Sequence, residues 1–408
     1  MSKAARTRKC MSIWCLVVMM VWSQALAVAE IAVAHPDARL GRVCGSARPG
    51  NVRCDAIYLE PASFPTPEKI YATHPLRPWS AKPVAGAHAY PPGNRPPYGP
   101  VNIDTAYNLP QMSTHPAKIA VITAYDDPNA ESDLAYYRTI FGLGACTTVN
   151  GCFLKVNQTG NTGPYPAPDA GWAQETSLDL DMVSAVCRNC QILLVEASST
   201  SIADLGAGVN TAVRMGATVV TNSYGTSSEF ASETDVCNTY YSHPNVAITA
   251  STGDSGLAVQ IPAACPGVIA VGGTSLPSTG NETAWGSSGG GCSQYIPKPS
   301  WQSYVASGCN MRAAADVSAL ADPNTGFYVY DTYQANGFYQ VGGTSAAAPL
   351  IAGIYGLAGN ASSYPIPAIY LWIYRYANVG CFFNIPNNST TAFSYQGGLG
   401  SPNTMNCF

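Results

Sequence analysis

The sequence predicts an α/β fold, a sandwich of helices around a mainly parallel central sheet. Short β-branched runs of strand length recur along the chain, segments with helical spacing stand between them, and glycines close two of the helical segments at Gly142 and Gly216. Strands that alternate with helices in this way argue for parallel pairing, because a parallel neighbour is reached only through a crossover.

From about Pro100 onward, "KIAVITAY" reads as a buried strand and "NAESDLAYYRTIFG" as a helix with a terminal Gly. "ETSLDLDMVSAVC" is a second helix and "QILLVEA" the strand after it. "ADLGAGVNTAVRMG" is a helix, "TVVTNSYG" a strand, and "VAITASTGDSG" and "GVIAVGGTS" are further strands. "TSAAAPLIAGIYGLAG" is a helix of small residues, and no internal repeat is present. Residues 28–97 differ: they are rich in Pro, lack periodic apolar patterning, and are expected to form an extended N-terminal segment, a surface wrap or a shortened pro-region. The domain proper is expected over 98–408.

Of the 408 residues, 47% are hydrophobic, enough for a sizeable core, and 11% are charged, against about a quarter in ordinary soluble domains. A formal net charge of −4 gives no electrostatic footprint for nucleic acid or for anionic membranes. Residues 1–27 read as a secretory signal peptide: Lys3, Arg6, Arg8 and Lys9 precede an apolar run from Met11 to Trp22, and Ala25-Leu26-Ala27 is a small-x-small cleavage site. The apolar stretch is too short for a comfortable membrane span. A secreted, extracellular monomer, free of the membrane after signal removal, is expected.

Of fourteen cysteines, Cys10 and Cys15 lie in the signal, which leaves twelve, an even number in an exported chain. Close spacings suggest Cys44–Cys54, Cys146–Cys152, Cys292–Cys309 and Cys381–Cys407, and Cys237 and Cys265 pair by elimination. Cys187-x-x-Cys190 fits a redox or zinc motif or a small structural disulfide; zinc would need a second ligand pair, and no His lies near.

Three segments could carry chemistry. In Gly342-Gly343-Thr344-Ser345-Ala346-Ala347-Ala348-Pro349, a Ser at the first turn of a helix reaches free backbone N–H groups, and small residues let a peptide come close. The bland alternative is a helix cap on a buried alanine-rich helix. A serine nucleophile needs a base. The five His, His35, His74, His88, His115 and His243, lie mostly in Pro-rich stretches and none has the setting of a subtilisin base. The remaining candidates are Glu175 and Asp179, at i and i+4 on one helix face, which could equally be a solvated acidic patch favoured by the helix dipole. Ser251-Thr252-Gly253-Asp254-Ser255-Gly256 has the "GDSG" of trypsin-like peptidases without their other segments, and a single "DSG" where aspartic peptidases need two. It could also hold a protonated carboxyl beside the Ser to stabilise an oxyanion, or merely close a turn.

These segments in this order, with "AYDDPNAESDLAYYR", "CTTVNGCF", "ILLVEA", "NSYG", "SSGGGCS" and "GLGSPN", resemble the sedolisin family of serine-carboxyl peptidases. The resemblance runs from about residue 98 to 403. It implies a subtilisin-like three-layer sandwich and hydrolysis of protein or peptide substrates at acidic pH, by endopeptidase or tripeptidyl peptidase action through an acyl-enzyme. It makes Ser345 the nucleophile, Glu175 the base, Asp179 its hydrogen-bonded partner and Asp254 the oxyanion acid. It also implies that Ser223-Tyr224-Gly225 and Ser288-Gly289-Gly290-Gly291 flank the substrate and pair with its backbone. Three departures stand out. Thr123 ends the strand where a subtilisin has its catalytic Asp. The large pro-domain of many relatives is replaced by the short Pro-rich stretch. Asn384 and Ser394 occupy two expected Asp positions of the family's calcium loop, so no metal and no certain cofactor is expected. The eroded calcium loop and short N-terminus would also suit a catalytically silent binding protein on the same fold.

Overall fold

The computed structural model describes residues 39–60, 96–278, 280–385 and 393–408. The chain divides into Met1–Arg39 and Leu40–Phe408, and the second unit holds the sheet and its helices. The expected signal peptide and residues 61–95 lie outside the described residues.

The central sheet is mainly parallel. Its strands are β1 (Lys118–Ala124), β2 (Phe153–Asn157), β3 (Gln191–Ala197), β4 (Val219–Asn222), β5 (Ala247–Ser251), β6 (Val268–Ser275), β7 (Thr283–Ala284) and β8 (Val317–Leu320). Their spatial order is β7-β6-β5-β4-β1-β3-β2, with β8 also paired to β6. Only β7 runs antiparallel to its neighbour. The described helices are α1 (Pro100–Tyr107), α2 (Ala130–Ile140), α3 (Ala170–Val186), α4 (Ile202–Arg214), α5 (Glu233–Tyr240), α6 (Thr344–Ala358) and α7 (Pro367–Ala377). Helix α3 starts before the predicted "ETSLDLD" because Asp169 caps it, its carboxylate accepting from Trp172 N–H at 3.0 Å. Ser201 does the same for α4, accepting from Asp204 N–H at 3.1 Å.

Side chains alternate across a strand, so Ile119 and Ile122 of β1 leave on opposite faces. Ile119 packs at Gly356 of α6, and Ile122 at Gly208 of α4. The sheet therefore lies between two helical layers, the three-layer arrangement expected. Helix α6 is buried along nearly its whole length and packs against α3, β4, β5 and β6. Among the described residues six disulfides close, including Cys187–Cys190, both of whose cysteines are buried.

The N-terminal segment departs from the expectation of an unpatterned wrap. Val52–Cys54 is a strand antiparallel to Tyr224–Thr226, and Ile57 and Tyr58 pair with Gly342 and Val341, the end of the strand that leads through Gly343 into α6. The alternation in "VRCDAIYL" is too short to stand out within a Pro-rich stretch.

Arg312 and Asp316 form an ion pair with no exposure on either side chain, and Asp316 also accepts from Ala270 N–H at 2.8 Å and Trp372 Nε1 at 2.9 Å. Removing one partner of such a pair strands the other charge. Asp316→Ala is expected to destabilise the fold by about 3–5 kcal/mol in denaturant melts.

Candidate active site

The site forms where β4 and β5 end and α6 begins, outside the carboxyl ends of the parallel strands. Gly343 takes φ +100°, and a Cβ there would lie 2.1 Å from the Asp55 carbonyl oxygen and 2.7 Å from Asp254 Oδ2. Only glycine fits both the conformation and the space. Ser345 follows at the second helical position, fully buried, with its backbone N–H pointing out of the helix. That N–H donates to the Asp55 carbonyl at 2.9 Å.

The structure brings Glu175, Asp179, Asp254 and Ser345 together. Glu175 is completely buried, and neither of its oxygens meets a donor at hydrogen-bonding geometry. Burial pushes its carboxyl well above the usual range, and the charges of Asp179, Asp55 and Asp254 push the same way. The nearby Ser345 hydroxyl opposes this, although it donates to the Ser223 carbonyl at 3.0 Å. Asp179 is raised by burial and held by Ser223, whose hydroxyl donates to Asp179 Oδ1 at 2.5 Å. The expected direct bond between Asp179 and Glu175 is therefore replaced here by one to Ser223. Asp254 is raised by burial and by Asp55; its Oδ1 accepts from Thr344 N–H at 2.8 Å and Thr344 Oγ1 at 2.9 Å, and its Oδ2 is buried without a partner.

Pro349 explains part of this network. An interior helical proline supplies no N–H to the carbonyl four residues back, here that of Ser345. The Ser223 hydroxyl fills the gap, donating to Ser345 O at 3.1 Å. One hydroxyl proton cannot serve Asp179 and Ser345 equally. With Asp179 protonated, its own O–H donates to Ser223 Oγ, and the Ser223 proton is free for the Ser345 carbonyl.

Ser223, Tyr224 and Gly225 run alongside the chain's own segment. Asp55 N–H donates to Ser223 O at 3.3 Å, and Arg53 lies opposite Gly225. Ser288–Gly291 is placed differently from the expectation. Ser288, Gly289 and Gly290 donate their N–H groups to Trp285, Gly253 and Ala258, so this segment backs the Gly253 turn instead of offering these donors to a substrate. His243 bonds Asn210 Oδ1 and the Tyr240 carbonyl, away from Ser345, and Thr123 is a buried residue whose hydroxyl has no partner. At the calcium-loop positions, Asn384 Oδ1 accepts from Arg375, and Ser394 Oγ accepts from Gly397 N–H at 2.9 Å. Both oxygens serve the protein's own donors, one of them a cation, and neither residue brings negative charge, so these residues do not fit calcium. Sequence reasoning missed Asp55 and Gln260; nothing in their local sequence marks them, because both reach the site through tertiary folding.

A helix-borne serine among buried carboxyls, on this sheet, defines a subtilisin-like α/β protein. Residues 104–371 match the subtilase family, peptidase S8. The chain belongs to that family and, within it, to the sedolisin or serine-carboxyl kind. It is 34% identical to sedolisin of Pseudomonas sp. (strain 101) over 36% of this chain and 28% of that protein. It is 29% identical to kumamolisin of Bacillus sp. (strain MN-32) over 63% of this chain and 51% of that protein. The matches thus span about half or less of these relatives' lengths. A solved structure of Pseudomonas sedolisin complexed with pseudo-iodotyrostatin superposes with a TM-score of 0.61 at 26% identity, covering 71% of this chain and 92% of that one.

The buried groups set two expected outcomes. Ser223→Ala leaves the Ser345 carbonyl without its donor and Asp179 without its partner, and is expected to cost about 1–3 kcal/mol in chemical denaturation. Several carboxyls hold their protons more tightly folded than unfolded: Asp55 is pushed up to about 6, Asp127 and Asp331 to about 7, all chiefly by burial. Their stabilisation is complete below the unfolded value of about 4 and is lost as pH rises through 6 to 7. The melting temperature is expected to fall between pH 4 and pH 8 by scanning calorimetry.

Proposed function

We propose that the protein is a secreted serine-carboxyl peptidase that hydrolyses peptide bonds in acid, with Ser345 as nucleophile, Glu175 as base, Asp179 as the partner that keeps the carboxyl cluster in order, and Asp254 as oxyanion donor. The observation that supports this best is the Asp55 carbonyl, a peptide carbonyl held 2.9 Å from the Ser345 N–H beside the buried carboxyls. A helix N-terminal N–H aimed at a peptide oxygen is what an oxyanion requires.

The chemistry follows from the groups. The Ser345 hydroxyl turns from the Ser223 carbonyl toward Glu175, which takes its proton as Oγ adds to the substrate carbonyl. The negative charge that develops on oxygen meets the Ser345 N–H and the proton of Asp254. Glu175 then gives its proton to the leaving amine as the C–N bond breaks, and water repeats the sequence on the acyl-enzyme. Glu175 must be ionised while Asp254 is neutral. Their mutual repulsion allows this, since the first to ionise holds the other's proton. Rising pH removes the second proton, so activity belongs in acid.

Endopeptidase action is the better-supported mode. The segment beside Ser345 continues on both sides of Asp55, from Val52 against Thr226 to Tyr58 against Val341, so the cleft takes chain in both directions. The same occupancy favours a second reading, a silent binding protein whose cleft stays filled. Peptide cleavage from pH 3 to 8 separates the two. Cleavage is expected to peak in acid, to fall by about 10³-fold or more in Ser345→Ala and Glu175→Ala, and to persist in His243→Ala and with N-terminally blocked peptides. Cleavage unaffected by Ser345→Ala rules the peptidase reading out.

A further inference from the structure

The segment Val52–Tyr58 lies in the cleft as a substrate would, and its Asp55 reports what the cleft accepts. Backbone contacts fix the register: Asp55 N–H donates to Ser223 O, Asp55 O accepts from Ser345 N–H, and Arg53 and Val52 pair with Gly225 and Thr226. Asp55 is thus the residue whose carbonyl faces the nucleophile, on the acyl side of the bond to Ala56. Its side chain is completely buried.

The pocket around that side chain is built from Ser251 and Gln260. Ser251 Oγ donates to Asp55 Oδ2 at 2.8 Å, and Gln260 Nε2 donates to the same oxygen and to Ser251 O at 3.0 Å. Two glycines hold Gln260 there. A Cβ at Gly225 would lie 2.1 Å from Gln260 Cδ, and one at Gly253, where φ is +102°, 2.9 Å from Gln260 Oε1. The amide therefore lies between the two walls, Tyr224–Thr226 and the turn after β5, and only 7% of Gln260 is exposed. Two donors converge on one acceptor oxygen, which a neutral carboxylic acid or a carboxamide supplies equally. A leucine of similar size supplies none and leaves both donors unpaired in a dry site. An ionised side chain meets the charges of Glu175 and Asp254, offset by Arg42 and Arg53.

We propose that Ser251 and Gln260 set the specificity of the cleft for a short acid or carboxamide side chain, Asp or Asn, at the residue whose carbonyl is attacked. This rests on the peptidase reading for its consequence in catalysis, and on the Val52–Tyr58 geometry alone for the pocket.

Two measurements test it. In the first, wild-type protein and Gln260→Leu digest a proteome-derived peptide mixture at pH 4, and the residue before each cut is read by mass spectrometry. Asp and Asn are expected to exceed Leu and Phe by about tenfold or more in wild type, and Gln260→Leu is expected to invert that order. Leu or Phe leading in wild type overturns the specificity and leaves the peptidase standing; no cuts at all speak against the peptidase. The second measurement needs no catalysis. In a Ser345→Ala background, hydrogen exchange over 52–58 at pH 4 compares Asp55, Asp55→Asn and Asp55→Leu. Asn is expected to keep the protection of Asp, and Leu to lose it by about tenfold or more. Equal protection in all three overturns the pocket.

Discussion

Four carboxyl groups share a dry volume at the head of α6, and the site depends on how few of them can be charged. Glu175, Asp179, Asp254 and Asp55 are all buried, and each carboxyl is pushed upward by its burial. The cations that reach the cluster, Arg42 and Arg53, come from the N-terminal segment. Charging a second carboxyl beside a first is costly at this depth. Protons are therefore structural parts of the site. The Ser223 hydroxyl illustrates this, since a proton on Asp179 lets Ser223 serve the Ser345 carbonyl that Pro349 leaves open. A proline in the helix, a serine after β4 and a buried acid in α3 are linked through a single hydroxyl.

The backbone carries as much of the site as the side chains do. Gly343 lets the chain turn into α6 while a peptide carbonyl lies against its Cα. The Thr344 N–H and hydroxyl orient Asp254, and Thr344 Oγ1 in turn accepts from Gly253 N–H at 3.0 Å. The turn after β5 and the start of α6 are thus tied to each other, so the acid and the serine move as one unit. Behind them Ser288–Gly290 fixes the Gly253 turn through its own N–H groups.

Much of this was legible in the sequence. The strands and helices that the sequence marked between Lys118 and Ala358 follow from apolar period and length. The four candidate residues were picked out through ordered motifs; helix spacing alone placed Glu175 and Asp179 together but could not separate a base from an acidic surface. The structure buries the whole of that helix face, which excludes the solvated acidic surface. Beyond the short elements Phe153–Asn157, Glu233–Tyr240 and Val317–Leu320, which were not read from the sequence, three things were not legible. The splitting of "TVVTNSYG" at Ser223 depends on pairing with Val52–Cys54, a partner more than 160 residues away in sequence. The role of Ser288–Gly291 depends on which backbone groups other segments consume. Gln260 acts through two distant glycines that make room for it, and no local pattern records such a vacancy.

A carboxylate base suits this environment for a reason that concerns the solvent as much as the site. At about pH 4 an ordinary imidazole, with its value near ~6.5, is almost wholly protonated and cannot accept the serine proton. A carboxyl near its own midpoint can. The cost is that the same carboxyl, once buried, resists ionisation, and Asp55 adds to that resistance while it fills the cleft. Departure of the segment would admit water and so ease ionisation of Glu175 and Asp254, while removing Arg42, which favours the ionised form of Asp254. On the proposed mechanism, occupancy of the cleft and readiness of Glu175 are therefore opposed: the segment that excludes water from the cleft also favours the protonated form of Glu175.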